Sequence, residues 1–164
     1  MDSQVRPVII ISTGRSGSSY TAKQFADAGF WHGVCRPGDQ HNPEGYFENI
    51  RLKRDCQKLH GRDWASGAFP DEHPRWHQAV LENIEREGWR GEPWFFKIGA
   101  FYWKCFRSFD PVFVKVWRPR EKILASYERL GWLSRRYALD EQERIIDRQH
   151  EAMREIPGMD VHIP

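Results

Sequence analysis

Apolar residues along this chain fall into two kinds of run. Val8-Ile-Ile-Ile-Ser-Thr13, Trp94-Phe-Phe-Lys-Ile98 and Val112-Phe-Val-Lys-Val-Trp117 are short, nearly continuous blocks of β-branched or aromatic residues. Such blocks fit strands buried on both faces. Elsewhere the apolar positions recur three and four apart, which predicts helices. Thr21 to Ala28 carries Ala22, Phe25 and Ala26 on one face and is followed by Gly29. Asn49 is placed to cap a helix running to His60, with Leu52, Cys56 and Leu59 inward. Pro74 opens a third, with Trp76, Val80, Leu81 and Ile84 as its stripe. Pro119 fits the first turn of a fourth, whose buried face is Ile123, Leu124, Tyr127 and Leu130. Asp140 and Glu143 resemble a capping box before a last helix that holds Ile145, Ile146, Ala152, Met153 and Ile156. Residues 31–48 and 61–73 read as loops.

Strands that alternate with helices imply an α/β fold: a mainly parallel central sheet between two helical layers. Ligands of such sheets sit at the carboxyl ends of the strands. The loop after Thr13 and the turn after Trp117 both lie there, so one crevice can serve both. With 164 residues and no internal repeat or linker, the chain reads as a single compact domain over 1–164.

Composition narrows the function classes. A formal net charge of +2 is too small to argue for nucleic acid. No run of about 18 apolar residues is present, so no membrane span is expected. The start of the chain lacks the basic and apolar regions of a signal peptide. The three cysteines, Cys35, Cys56 and Cys105, are odd in number and far apart, and none forms a CxxC pair. Disulfides and a zinc motif are therefore not expected, and a cytoplasmic location is. His73 and His77 are four apart, but Pro74 lies between them and no carboxylate motif accompanies them.

Candidate chemistry centres on Gly14-Arg-Ser-Gly-Ser-Ser19. Glycine lets the backbone approach a ligand, and closely spaced amides, hydroxyls and the Arg15 guanidinium precede a helix N-terminus. That is an anion cradle. The alternative is an ordinary Gly/Ser turn. It is not a Walker A loop, because Ser18 stands where that motif needs lysine.

Ile11-Ser-Thr-Gly-Arg-Ser-Gly-Ser-Ser19 resembles the 5′-phosphosulfate loop of sulfotransferases that use 3′-phosphoadenosine-5′-phosphosulfate (PAPS). Val114-Lys-Val-Trp-Arg-Pro-Arg-Glu-Lys-Ile-Leu-Ala-Ser126 resembles their 3′-phosphate motif, an arginine at a strand end and a helical serine eight residues on. Asn42-Pro-Glu-Gly-Tyr-Phe-Glu-Asn49 is similar to a GxxE stretch of bacterial and phage members. The matches come in family order. Pro119 directly follows Arg118, where the family usually has one residue between.

The resemblance implies a three-layer fold like that of P-loop nucleotide-binding proteins. It implies transfer of a sulfonyl group from PAPS to an acceptor hydroxyl or amine, with release of adenosine 3′,5′-bisphosphate and no metal. Arg15, Ser16, Gly17, Ser18 and Ser19 would hold the 5′-phosphosulfate, with Arg15 as the catalytic cation. Arg118 and Ser126 would hold the 3′-phosphate. An acceptor base is also needed: Glu48 is the first choice, with Glu44 and His41 as alternatives. Lys97, near a strand end, is either a solvated edge lysine or a basic group beside the donor. Trp89, Trp94, Phe96, Phe101, Tyr102 and Trp103 read first as core and second as acceptor contacts.

The acceptor would be a small molecule or a carbohydrate. Arg135, Arg136, Arg144, Arg148 and Arg154 read as solvated helix charges, though a sulfated glycan would suit them. The family implies a further strand and a Gly/Lys-rich loop after the last helix. Met159 to Ile163 is expected to begin that strand, the chain being short at this end; a homodimer is one way to complete the site. The rival readings are a small nucleotide or metabolite kinase with an altered loop, and a non-catalytic adenine-nucleotide-binding module.

Overall fold

A computed structural model describes residues 5–62, 69–131 and 138–164. Its centre is a four-stranded sheet: β1 (Val8–Ser12), β2 (Phe95–Gly99), β3 (Val112–Trp117) and β4 (Met159–His162). All neighbours are parallel, in the order β2-β1-β3-β4. The expected α/β class holds, and Met159 to His162 does form a strand.

Strand alternation divides the core. Ile9 and Ile11 face one side with Phe96, Ile98 and Phe113, against helix α2 (Ile50–His60), helix α3 (Trp76–Arg86) and the last helix. Val8 and Ile10 face the other side with Phe95, Val114 and Val116, under helix α1 (Ser18–Asp27). Helix α4 (Arg120–Arg129) packs against helix α5 (Leu139–Glu155). Apolar residues on both faces explain why the strands read as continuous rather than alternating runs.

The elements depart from expectation at several points, among them α3, which starts at Trp76 with Pro74 in the turn before it. Helix α1 starts at Ser18 rather than Thr21, because Gly17 takes the left-handed conformation (φ 85°) just before it. Pro119 precedes α4 in extended conformation rather than opening its first turn. The Asp140–Glu143 capping box does not form: Ala138 precedes α5, so Asp140 lies inside the first turn, where its charge suits the helix dipole. Ala100–Phe109, which followed a predicted strand without an assignment, is a 3₁₀ helix. It buries Ala100, Phe101, Tyr102, Cys105, Phe106 and Phe109, so the aromatic cluster serves the core first, as expected.

The cap of α2 forms as predicted. The Asn49 side chain accepts the Leu52 N–H at 2.9 Å and donates to the His32 carbonyl and Glu87. Asn49→Ala is expected to cost about 1–2 kcal/mol, read as a lower midpoint in urea unfolding.

Candidate functional site

The connection after β1 leads to β2 on one side, and that after β3 leads to β4 on the other. The carboxyl ends of these neighbouring strands therefore bound a crevice of the kind that binds ligands in open α/β sheets. The loop Thr13 to Gly17 leaves β1 there, and Arg118 follows β3 directly.

The loop is shaped for close approach. Gly17 is left-handed, and a Cβ there would lie 3.1 Å from Ile163. A Cβ on Gly14 would collide with the Tyr127 phenol oxygen. Arg15 holds φ 62° without being glycine. Such strain persists where surrounding structure enforces it, often at functional sites. The first-turn amides of α1, Ser18 and Ser19 among them, have no acceptor within the helix and add the positive end of its dipole.

Two separate sequence motifs meet here. Arg15 Nε donates to Ser126 Oγ at 3.0 Å, across 111 residues. Arg118 Nη1 donates to the Arg15 carbonyl at 3.0 Å. Ser126 is buried on α4, while both arginines are half-buried. The guanidinium groups predicted to hold two ends of one anion thus share a single crevice. Arg15, however, bonds Ser126 on the far side of the loop rather than its own hydroxyls.

The cation among the loop hydroxyls is Lys97. Its side chain projects from β2 on the α1 face, like Phe95, and only 5% of the residue is exposed. Nζ donates to Ser19 Oγ at 3.0 Å and Ser18 Oγ at 3.4 Å, and lies 3.6 Å from Glu48 Oε1. The solvated edge lysine is therefore ruled out. Burial pushes its pKa down to about 8, although Glu48 pulls it up.

Glu48 sits one residue before the α2 cap, Asn49. A folded loop holds it: its carbonyl accepts the Arg36 N–H at 3.0 Å, the Arg36 carbonyl accepts the Tyr46 N–H at 3.3 Å, and the Tyr46 hydroxyl donates to Asp39 at 2.8 Å. Neighbouring Phe47 is left-handed, at φ 52°. The Glu48 carboxylate pairs with Lys53 and Lys97. Burial acts to raise its pKa, but Lys97 and then Lys53 outweigh it and keep the group ionised, below its usual range. The alternative bases lie farther out. Glu44 is exposed, and exposed His41 bonds Gln40.

The donor set fits an anionic nucleotide with two phosphate ends. It offers two guanidiniums, an ammonium, hydroxyls and free helix amides. Ser16 Oγ and Arg118 Nε are buried there without a partner. Buried polar atoms are rarely left so, and a bound anion would satisfy them. A cavity near Val5, Trp89 and Phe109 opens at the other end of the strands, away from these groups. Of the remaining arginines, Arg144 pairs with Asp140, and Arg135 and Arg136 lie outside the described residues. No described helix is long and apolar enough to cross a membrane.

No family model and no curated protein matches this chain. Among solved structures, an unliganded sugar kinase from Janibacter sp. HTCC2649 matches with a TM-score of 0.44 and 13% identity, over 97% of this chain and 84% of that one. So distant a likeness bears on neither activity nor substrate.

Proposed function

We propose that the chain is a sulfotransferase that takes a sulfonyl group from PAPS, passes it to an acceptor hydroxyl or amine, and releases adenosine 3′,5′-bisphosphate. The observation that carries this reading is the contact chain Arg118–Arg15–Ser126, which joins the two motifs at the crevice between β1 and β3. PAPS supplies an activated sulfonyl group on a phosphate leaving group.

In this reading Arg118 and Ser126 hold the 3′-phosphate. The α1 amides and the hydroxyls of Ser16, Ser18 and Ser19 hold the 5′ end, and Gly17 gives them room. Arg15 spans the two. Lys97 offsets charge on the leaving oxygen, since group transfer of this type asks mainly for positioning and cationic stabilisation. Glu48 accepts the acceptor's proton. At rest its carboxylate is quenched by Lys97, and an anion among the Ser18 and Ser19 hydroxyls competes for that ammonium. Basicity then rises at Glu48 when the crevice is filled.

Lys97 also favours a second reading, transfer of a phosphoryl group from ATP, because it brings a lysine to a loop that lacks the Walker one. Calorimetry separates the two. Wild type should bind adenosine 3′,5′-bisphosphate more tightly than ATP. Arg118→Ala should lose about 1.5–3 kcal/mol for the bisphosphate, roughly a 10- to 150-fold weaker Kd. An unchanged affinity removes Arg118 from the site, and tighter ATP binding favours the kinase. Bisphosphate binding without transfer to any of a broad acceptor panel would indicate a binding module.

A further inference from the structure

A second group of reactive side chains lies away from this crevice, between α2 and the 3₁₀ helix. Cys56 and His60 are four residues apart on α2 and so project from one face. Cys105 reaches them from the 3₁₀ helix. One ligand atom from each, the two Sγ atoms and a ring nitrogen of His60, lies within 4.8 Å of the others. We infer that Cys56, His60 and Cys105 form a binding site for a thiophilic d¹⁰ metal ion, Zn²⁺ foremost.

The geometry is close to the bound one. Zn–S bonds of about 2.3 Å and Zn–N bonds of about 2.0–2.1 Å place neighbouring tetrahedral donors roughly 3.5–3.8 Å apart. Cys56 Sγ and His60 Nδ1 are already 3.6 Å apart. Two sulfurs and an imidazole suit a soft ion and exclude Mg²⁺ and Ca²⁺, which take oxygen. Both cysteines are fully buried, and the Trp76 indole stands edge-on to the His60 ring at 5.4 Å. An apolar shell of this kind limits solvent access to the site. His60 is half-buried and gives the ion a way in. Among the described residues three protein donors gather, which leaves one tetrahedral position for water.

Binding has a definite proton balance. Both cysteines bind as thiolates, so any proton either thiol still carries is released as the metal bonds form. His60 Nδ1 now contacts the Cys56 carbonyl at 2.9 Å, while Nε2 accepts the His73 backbone N–H at 3.0 Å. Nδ1 must give its proton up to bind the ion, and Nε2 takes one on. The His73 N–H then loses its acceptor and has to turn away. That amide is therefore a built-in reporter of occupancy.

The test is a titration of the purified, reduced protein with Co²⁺ as a spectroscopic stand-in, then displacement by Zn²⁺. The expected result is one saturable site with a thiolate-to-cobalt charge-transfer band, a higher Tm with Zn²⁺, and a shift of the His73 amide NMR signal. Cys105→Ser should weaken binding about a hundredfold or more, and Cys35→Ser should leave it unchanged. His60→Gln, at a half-buried position, decides the matter if a cysteine variant does not fold: its circular dichroism should be native and its binding weak. Absence of the band in the folded wild type, or a band that survives His60→Gln or Cys105→Ser at full affinity, overturns the assignment.

Discussion

Lys97→Met is expected to lower turnover with PAPS about a hundred- to a thousandfold, the usual cost of removing one preorganised donor from developing negative charge. Methionine has a similar length and no charge, so the change removes the ammonium with little loss of packing. Glu48 keeps Lys53, so its carboxylate is not left alone. The variant should also lose a pH dependence. Anion binding in the wild type should weaken as pH rises through about 8, where Lys97 gives up its proton. The sign for stability is opposite. The unfolded chain holds that proton up to the ordinary lysine value of 10.5 and the folded one only to about 8, so Lys97 makes the fold more stable as pH rises between them. Calorimetry of adenosine 3′,5′-bisphosphate binding from pH 7 to 9 measures the first effect and urea unfolding the second. A Lys97→Met variant with wild-type turnover, or with an unaltered pH profile, would remove this lysine from the chemistry.

The second large effect is expected at Glu48. Glu48→Gln keeps the shape and the hydrogen-bonding oxygen but cannot take a proton from the acceptor. Turnover should fall about a hundred- to ten-thousandfold, the range for losing a general base. Affinity for the bisphosphate should stay within a few-fold of wild type, because Arg118 and the loop amides are untouched. The Lys97 pKa should drop further without its carboxylate, so binding should fade at a lower pH than in the wild type. Retained turnover would pass the role to Glu44 or His41; turnover and affinity falling together would make Glu48 a prop for Lys97 rather than a base.

Much of this arrangement could be read from the sequence because it is local. Three of the four strands show as apolar blocks, and Asn49 shows as a cap because its side chain bonds an amide three residues on. The Arg118-to-Ser126 spacing is that of a strand end and the second turn of the next helix, which the chain adopts. The 3₁₀ helix is hard to read although Tyr102, Cys105, Phe106 and Phe109 are spaced three and four apart, because a run so rich in aromatics after a strand fits packing around that strand equally well. The start of α1 depended on Gly17 turning left-handed, which a Gly-Ser-Ser string does not reveal.

Lys97 could have been placed by alternation. Phe95 and Lys97 share a strand face, and in register Lys97 pairs with buried Ile10. Of the Cys56–His60–Cys105 cluster the sequence shows only the four-residue Cys56–His60 spacing, since Cys105 lies 49 positions from Cys56 and the fold alone brings it there.

Arg118 gives one nitrogen, Nη1, to the Arg15 carbonyl, while its Nε is buried without a partner. One guanidinium can thus brace the loop with one arm and grasp a ligand with another, because its five donors are fixed in a plane. A lysine at this position could also donate more than one bond, but from a single nitrogen on a flexible stem, without the fixed, separated directions of the planar fork. Charge alone does not qualify a side chain for position 118; the post calls for two hands.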